Sequence, residues 1–300
     1  MEQLAPAALR AVQTLDFLAA HPSEVFTLSE LAQRLDINAS SLLRVLRALV
    51  HGGYVERHPR HSTYALGLGL IASGQSALQR HPVVGQARRA SDALADELGV
   101  QCSAVAISEE GVLVIAASGS LTPGHHSSRV GIRSPHLPCF APTHWAFAPA
   151  ERREPWLASL ELGTRKLAFL RRAFEAIRLR GYSVGLQGRG FELLGEPIRR
   201  LQEKPRDRDA FAEAVRVTRL LSEDELQLVS LQRKRSYEVQ HIAAPIFDAR
   251  GGVALELILT DLPHRMSASR IEAMARRLCG ACGDVARTVG GHPPSTRSPG

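Results

Sequence analysis

Cysteine is scarce in this 300-residue chain: Cys102, Cys139, Cys279 and Cys282 are too few and too scattered for a disulfide framework. That fits a reducing compartment, and a cytoplasmic protein is expected. No apolar run approaches the roughly 20 residues that span a bilayer, so no membrane partner is expected. The N-terminal stretch has no basic leader and carries Asp16 among its apolar residues. It reads as a first helix and not as a signal peptide. A phosphate-binding glycine loop and a Gly-x-Ser-x-Gly elbow are both missing. Gly185, Gly188 and Gly190 lack the strand-to-helix setting such a loop needs. Nothing brings a catalytic base and a nucleophile together, so neither an enzyme nor a bound cofactor is expected.

Charge is present but unevenly placed. The chain carries a formal +7, weak support by itself for a polyanion partner. Residues 1–75 balance six arginines against six acids, yet residues 44–60 hold Arg44, Arg47, Arg57 and Arg60 against the single acid Glu56. A neutral region that gathers its positive charge on one segment has the electrostatic footprint of a nucleic-acid reader, or simply a solvated face.

That segment is embedded in a recognisable order of elements. Leu9, Val12, Leu15, Leu18 and Ala19 recur at helical spacing before His21-Pro22. Thr27-Leu28-Ser29-Glu30 is a capping box opening a second helix, with Leu28, Leu31, Ala32 and Leu35 as its stripe. Asp36-Ile37-Asn38 makes a short turn, and Asn38 can cap a third helix over 39–51 that buries Leu42, Val45, Leu46 and Leu49. Two helices so joined form a helix-turn-helix, whose second helix enters the DNA major groove by its N-terminal end. Gly52-Gly53 stops the helix, and two short strands flank His58-Pro59-Arg60-His61 as a basic wing. The candidate DNA-binding residues are Ser29, Asn38, Ser40, Ser41, Leu43, Arg44, Arg47, Arg57 and Arg60, hydroxyls and guanidiniums suited to phosphates or base edges.

Together these residues resemble an IclR-type transcriptional regulator. The likeness rests on Leu9-Arg10-Ala11-Val12, on Leu28-Ser29-Glu30-Leu31-Ala32, and most on the run from Ser40 to Leu49 followed by Gly53-Tyr54-Val55-Glu56 and Tyr64-Ala65-Leu66-Gly67. It implies that the recognition helix starts at the serine pair, with Ser40, Ser41, Leu43 and Arg44 facing the groove. It also implies residues 1–67 as the winged helix-turn-helix, 68–81 as a linker helix and 82–290 as a GAF-like α+β domain. That domain would bind a small-molecule effector and help form a homodimer or homotetramer on a palindromic operator, as a repressor or an activator.

The second half fits this outline. Hairpins are expected around Ser108 to Gly111 and Asp248 to Gly252, and a closing helix over 267–289, with 291–300 a disordered tail. The resemblance here is carried by Leu94 and Gly99, Gly131, Pro135-His136, Ile177-Arg178, Gly181-Tyr182 and the run from His241 to Asp248. Cys102, Gly131, Cys139, His144, His241 and Ala243 are the candidate effector-pocket residues. Two departures stand out. Pro142-Thr143-His144-Trp145-Ala146 replaces a Gly-Lys-Ala-like step, and residues 187–237 form an unusual helical insertion with Phe211, Val215, Thr218, Leu221, Leu226 and Val229 as its apolar positions. The insertion reads as a surface decoration, a dimer contact or a pocket lid.

Alternatives stay open. His125, His126, His136, Cys139 and His144 could form a metal site, but their spacing matches no common zinc pattern. They would serve a metal-dependent sensor or enzyme domain fused to a DNA reader. An architectural DNA binder without an effector is the third reading. Cys279-Gly280-Ala281-Cys282 sits among small residues of the final helix, where packing is the simpler role.

Overall fold

The computed structural model describes residues 5–108, 111–119, 130–203 and 207–294. The N-terminal unit is built from α1 (Pro6–Ala20), β1 (Phe26–Thr27), α2 (Leu28–Leu35), α3 (Ala39–His51), β2 (Val55–Arg57) and β3 (Thr63–Leu66). Local chemistry sets each boundary. Thr27 and Glu30 complete the reciprocal capping box, and Asp36 closes α2 in the left-handed region at φ 55°. The Asn38 side chain accepts from the Ser40 amide and so starts α3. Leu42, Val45, Leu46 and Leu49 are buried as the spacing predicts.

The α1 stripe differs from expectation. Val12 is 53% exposed, while Thr14, Phe17 and Leu18 are buried. Thr14 can occupy the core because its hydroxyl donates to the Arg10 carbonyl at 2.7 Å. Phe17 turns the helix toward β1, stacking edge-on with Phe26 at 5.0 Å. The wing is a three-stranded sheet in the order β1-β3-β2, one strand more than the sequence suggested.

The linker is α4 (Gly69–Arg80), separated by His81 from α5 (Pro82–Leu98). None of the α4 residues is buried, and Leu68 at its start and Ile71 on it are 71% and 59% exposed.

The C-terminal unit adds β4 (Gln101–Ser108), β5 (Gly111–Ser118), β6 (Arg133–Ser134), α6 (Pro142–Phe147), α7 (Ala150–Ser159), α8 (Thr164–Arg180) and β7 (Ser183–Leu186). Then come α9 (Arg189–Glu203), α10 (Arg208–Leu220), α11 (Glu223–Leu226), β8 (Ser236–Tyr237), β9 (Val239–Phe247), β10 (Val253–Thr260), β11 (Met266–Ser267) and α12 (Ala268–Thr288). An antiparallel sheet runs β6-β5-β4-β10-β9-β7. One face lies under α5 and α12, where Leu94, Cys102, Ile242, Leu257, Ile271 and Leu278 share a core. This is the expected α+β domain. The first residues of the predicted tail are not loose: the Gly291 amide donates to Ala286 at 2.7 Å and that of His292 to Asp248 at 3.2 Å.

The insertion is not a decoration. Leu194, Leu201, Ala210, Ala214, Val217, Leu221 and Leu226 share a second core with Trp145, Phe169, Phe174 and Ile177. Of the predicted positions Thr218, Leu221 and Leu226 are buried and Val215 packs against this core, but Phe211 and Val229 are 45% and 37% exposed, with Ala210, Ala214 and Val217 facing inward on α10 instead. Glu225 clips the two ends of the insertion's helices together, accepting from the Gly190 amide of α9 with one carboxyl oxygen and from the Ser222 amide at the start of α11 with the other, each at 2.7 Å. A Cβ at Gly188 would stand 2.2 Å from the first of those oxygens. Gly188→Ala is therefore expected to destabilise the fold by about 1–3 kcal/mol, read as a lower urea midpoint. Gly280→Ala, with nothing within 4 Å of the added carbon, should hold or raise it; equal midpoints for both variants would contradict the clip.

Candidate functional site

Two sets of residues carry chemistry. The first is on the N-terminal unit. Ser40, Arg44 and Arg47 are exposed on α3, and Ser41 and Leu43 are half-buried. Across a cleft stands the wing: Ser29, Leu43, Arg47, Arg57 and Ser62 line it together with Thr27, Leu28 and Tyr64. Two cations thus face one groove from opposite walls, Arg47 from α3 and Arg57 from β2. Arg57 is held in place by donating to the Ser62 hydroxyl at 2.8 Å. Ser62 itself is left-handed at φ 52°, which makes the wing turn tight. The His58 ring nitrogen accepts from the Arg60 and His61 amides, leaving the Arg60 side chain exposed at the tip. Asn38 and the Ser40 hydroxyl are bonded to each other at 2.6 Å, so the same pair that caps α3 shapes its exposed end.

The second set lies on the sheet face away from α5 and α12. Strand register makes this explicit. Ser103 pairs with Ile258, Ile258 with Ala243, and Ala243 with Ser183, forming one cross-strand row. Side chains alternate along a strand, so Glu256 and His241, two residues from Ile258 and Ala243, share that face. Helix α6 covers β9 and β10 there. Ser103, Thr143, Ser183 and Glu256 are completely buried, and His241 nearly so. Each has at least one polar atom with no partner, and neither carboxyl oxygen of Glu256 completes a hydrogen bond. Gln227 adds both its amide atoms. Its neighbour Leu228 donates to the Val184 carbonyl of β7 at 2.7 Å, which brings Gln227 to the β7 edge of the sheet. Phe191 of α9 meets the His241 ring edge-on at 6.5 Å.

Such orphans are rare because each costs about 1–3 kcal/mol. Burial pushes the Glu256 carboxyl up to about 7 despite the opposing pull of the Thr143 hydroxyl and amide. Burial and the charge of Arg180 push His241 down to about 4, leaving it a neutral ring.

Of the residues nominated for an effector pocket, His241 and Ala243 lie on this face. Cys102 does not: alternation sends it into the core under α5, and it is Ser103 that looks the other way. Gly131 lies beside Ala19 of α1, whose carbonyl would be 3.2 Å from an added Cβ. Nearby, Arg133 reaches Asp16 at 3.4 Å, joining the sheet edge to α1. Cys139 is buried in the helical core with its thiol pushed up to about 12. His144 sits with His136, Trp145 and Trp156 in an aromatic stack, the two indoles 3.8 Å apart. Burial lowers His144 to about 4. Glu256, Thr143, Ser103, Ser183 and Gln227 were missed. A lone acid inside the apolar run VALELILT was the available signal.

His125 and His126 lie outside the described residues. Among the described residues no three His, Cys, Asp or Glu side chains are arranged to hold a metal. Burial raises the Cys279 thiol to about 11 and that of Cys282 further, which keeps both protonated in α12. No helix of the described residues is long and apolar enough to cross a membrane.

Comparison with known proteins agrees with this geometry. Residues 7–59 match the IclR helix-turn-helix domain. No curated protein matches the chain in sequence. Among solved structures, the IclR transcriptional regulator of Alicyclobacillus acidocaldarius is 20% identical with a TM-score of 0.67, covering 96% of this chain and 100% of that one. Pseudomonas aeruginosa HmgR is 22% identical with a TM-score of 0.60, covering 95% and 100%. An IclR homologue from Microbacterium hydrocarbonoxydans, solved with 4-hydroxybenzoate, is 16% identical with a TM-score of 0.61, covering 94% and 99%. The chain thus carries an IclR helix-turn-helix on the fold of IclR regulators, and the resemblance read from the sequence holds.

The buried carboxyl makes a testable prediction. Its folded form keeps a proton that the unfolded chain releases near 4.5. Stability from Glu256 is therefore complete below that pH and is lost as pH rises toward about 7. Glu256→Gln should remove a loss on the order of 3 kcal/mol. The readout is the difference between variant and wild type in urea midpoint at pH 5 and pH 8, which cancels the histidines. A difference that does not change with pH would place the carboxyl in water.

Proposed function

We propose that this chain is a DNA-binding transcriptional regulator that works as a homodimer or homotetramer on a palindromic operator and responds to a small-molecule effector. The observation that carries the reading is the cleft where α3 and the wing meet, with Arg47 and Arg57 on its walls and Arg44 exposed beside it. In a helix-turn-helix the N-terminal end of the second helix enters the major groove, so Ser40, Ser41, Leu43 and Arg44 meet base edges and nearby phosphates. Arg47, Arg57 and Arg60 hold the flanking backbone, where charge fixes register without reading sequence. Ser29, at the exposed start of α2, adds a hydroxyl to the same strand, and Asn38 acts by shaping the end of α3.

Oligomerisation is supported by α4, which buries none of its residues and exposes Ile71 next to Leu68. A second copy of that helix would cover them and pair two recognition helices for a two-fold operator. The effector reading is supported by the polar sheet face under α6, and by 4-hydroxybenzoate in the fold-related Microbacterium protein. Ligand binding there biases the equilibrium between arrangements of the two readers by its difference in affinity for them. Arg133 to Asp16 is a contact between the sheet edge and α1 along which that bias can pass.

The test is fluorescence anisotropy on a fragment selected from genomic DNA, with salt titrated. Arg44→Ala should weaken specific binding by about 1–3 kcal/mol, and wild-type affinity would remove this arginine from the interface. Arg57→Ala with Arg60→Ala should lower the slope of log K against log salt by about 2 and weaken all sequences alike. An unchanged slope would mean that the wing does not touch DNA.

A further inference from the structure

The polar face under α6 also indicates what kind of molecule it takes. The row from Ser103 on β4 to Ser183 on β7 crosses β10 and β9. Three strand spacings make the distance between the end hydroxyls about 14 Å, the length of a small metabolite. Around this row the face offers hydroxyls, one amide, one neutral imidazole and one carboxyl, Glu256 standing two residues to one side of it and His241 two residues to the other. The charge balance is lopsided. Glu256 is fully buried, and among the described residues the groups acting on it are the hydroxyl and amide of Thr143, with no arginine or lysine opposite. The cation that acts on His241 is Arg180, at the far edge. Its Nε donates to the Tyr182 carbonyl at 2.6 Å and its guanidinium lies 4.9 Å over the Tyr182 ring, while its Nη2 is buried without a hydrogen-bond partner among the described residues, at the β7 edge two strands from the β10 of Glu256.

A buried carboxyl without a cation either holds its proton or waits for a positive partner. An anionic ligand in this layer would require Glu256 to keep its proton, because with the carboxyl ionised two like charges would sit together out of water, which low polarity makes expensive. A protonated amine does the opposite: it lets Glu256 ionise and completes a hydrogen-bonded ion pair. The insertion takes part, because Phe191 stands against the His241 ring and Gln227 brings two unpartnered amide atoms to the neighbouring β7 edge. We propose that the layer between α6 and the sheet binds a small organic amine, with Glu256 pairing its ammonium group and Ser103, Ser183 and Gln227 bonding its hydroxyl or carbonyl groups. This rests on the effector-sensing reading of the C-terminal domain and narrows it to a class.

Ligand-induced change in melting temperature of the full chain tests it. Two matched triads serve as probes: glucosamine, glucose and glucuronate; phenethylamine, 2-phenylethanol and phenylacetate. An amine is expected to raise the melting temperature by roughly 5 °C at a hundredfold excess over its dissociation constant, its neutral and acidic counterparts much less. Glu256→Gln keeps the size and a hydrogen-bond donor, and should unfold cooperatively but lose the response. A response retained in that variant, or shown by no amine of either triad, overturns the assignment. Stabilisation by the acids would overturn it too, while leaving the effector reading intact. A chemically diverse metabolite set run in parallel separates the two levels: a hit of any class upholds the sensor, and no hit at all removes both.

Discussion

Strand β10 sets the constraint on which the C-terminal domain depends. It lies between β4 and β9 at the centre of the sheet, so both its edges are paired, and Leu255, Glu256 and Leu257 are buried. Leu255, Leu257 and Leu259 anchor the face covered by α5 and α12. Alternation then leaves no choice for Glu256: it must point to the other side, under α6. A one-residue slip that moved the acid would also pull three leucines out of the core, at about 1.5–3 kcal/mol for each buried side chain. The hydrophobic effect thus holds a carboxyl in a place that its own solvation opposes. Such a conflict between local chemistry and global packing is where function tends to reside.

The N-terminal unit follows a different logic, with little conflict in it. Capping at Thr27 and Asn38, the left-handed turn at Asp36 and the Leu42-Val45-Leu46-Leu49 stripe all specify the same two-helix angle. What remains on the surface is polar and positive on one side. Between the two units, α4 makes no buried contact within the chain, while Arg133 and Gly131 touch α1. The Arg133–Asp16 pair is half-exposed and weak by itself.

How much of this was legible in the sequence depends on how local its cause is. The helix-turn-helix could be read because caps, turn and stripe act within a few residues. The α1 stripe was misplaced at Val12 because Phe17 and Thr14 are selected by β1 and by a backbone carbonyl, neither visible in the periodicity. The insertion was seen as helical, yet its buried set, Ala210, Ala214 and Val217, is offset from Phe211 because small residues let α10 approach its neighbours. Cys102 was chosen where Ser103 was the residue facing α6: parity along β4 depends on which face the helices cover. The clustering of Ser103, Ser183, His241 and Glu256 arises from pairing across long stretches of chain, which no local pattern encodes. The charge of Glu256 within an apolar strand was the one mark of it.

The most direct measurement is selection of bound fragments from genomic DNA by the full chain, followed by titration of the best fragment against random DNA at several salt concentrations. The account predicts a two-fold symmetric site held at least about a thousandfold more tightly than random sequence at physiological salt. Binding that is uniform across sequences and set by salt alone would contradict it, and would leave only an unspecific coat on DNA.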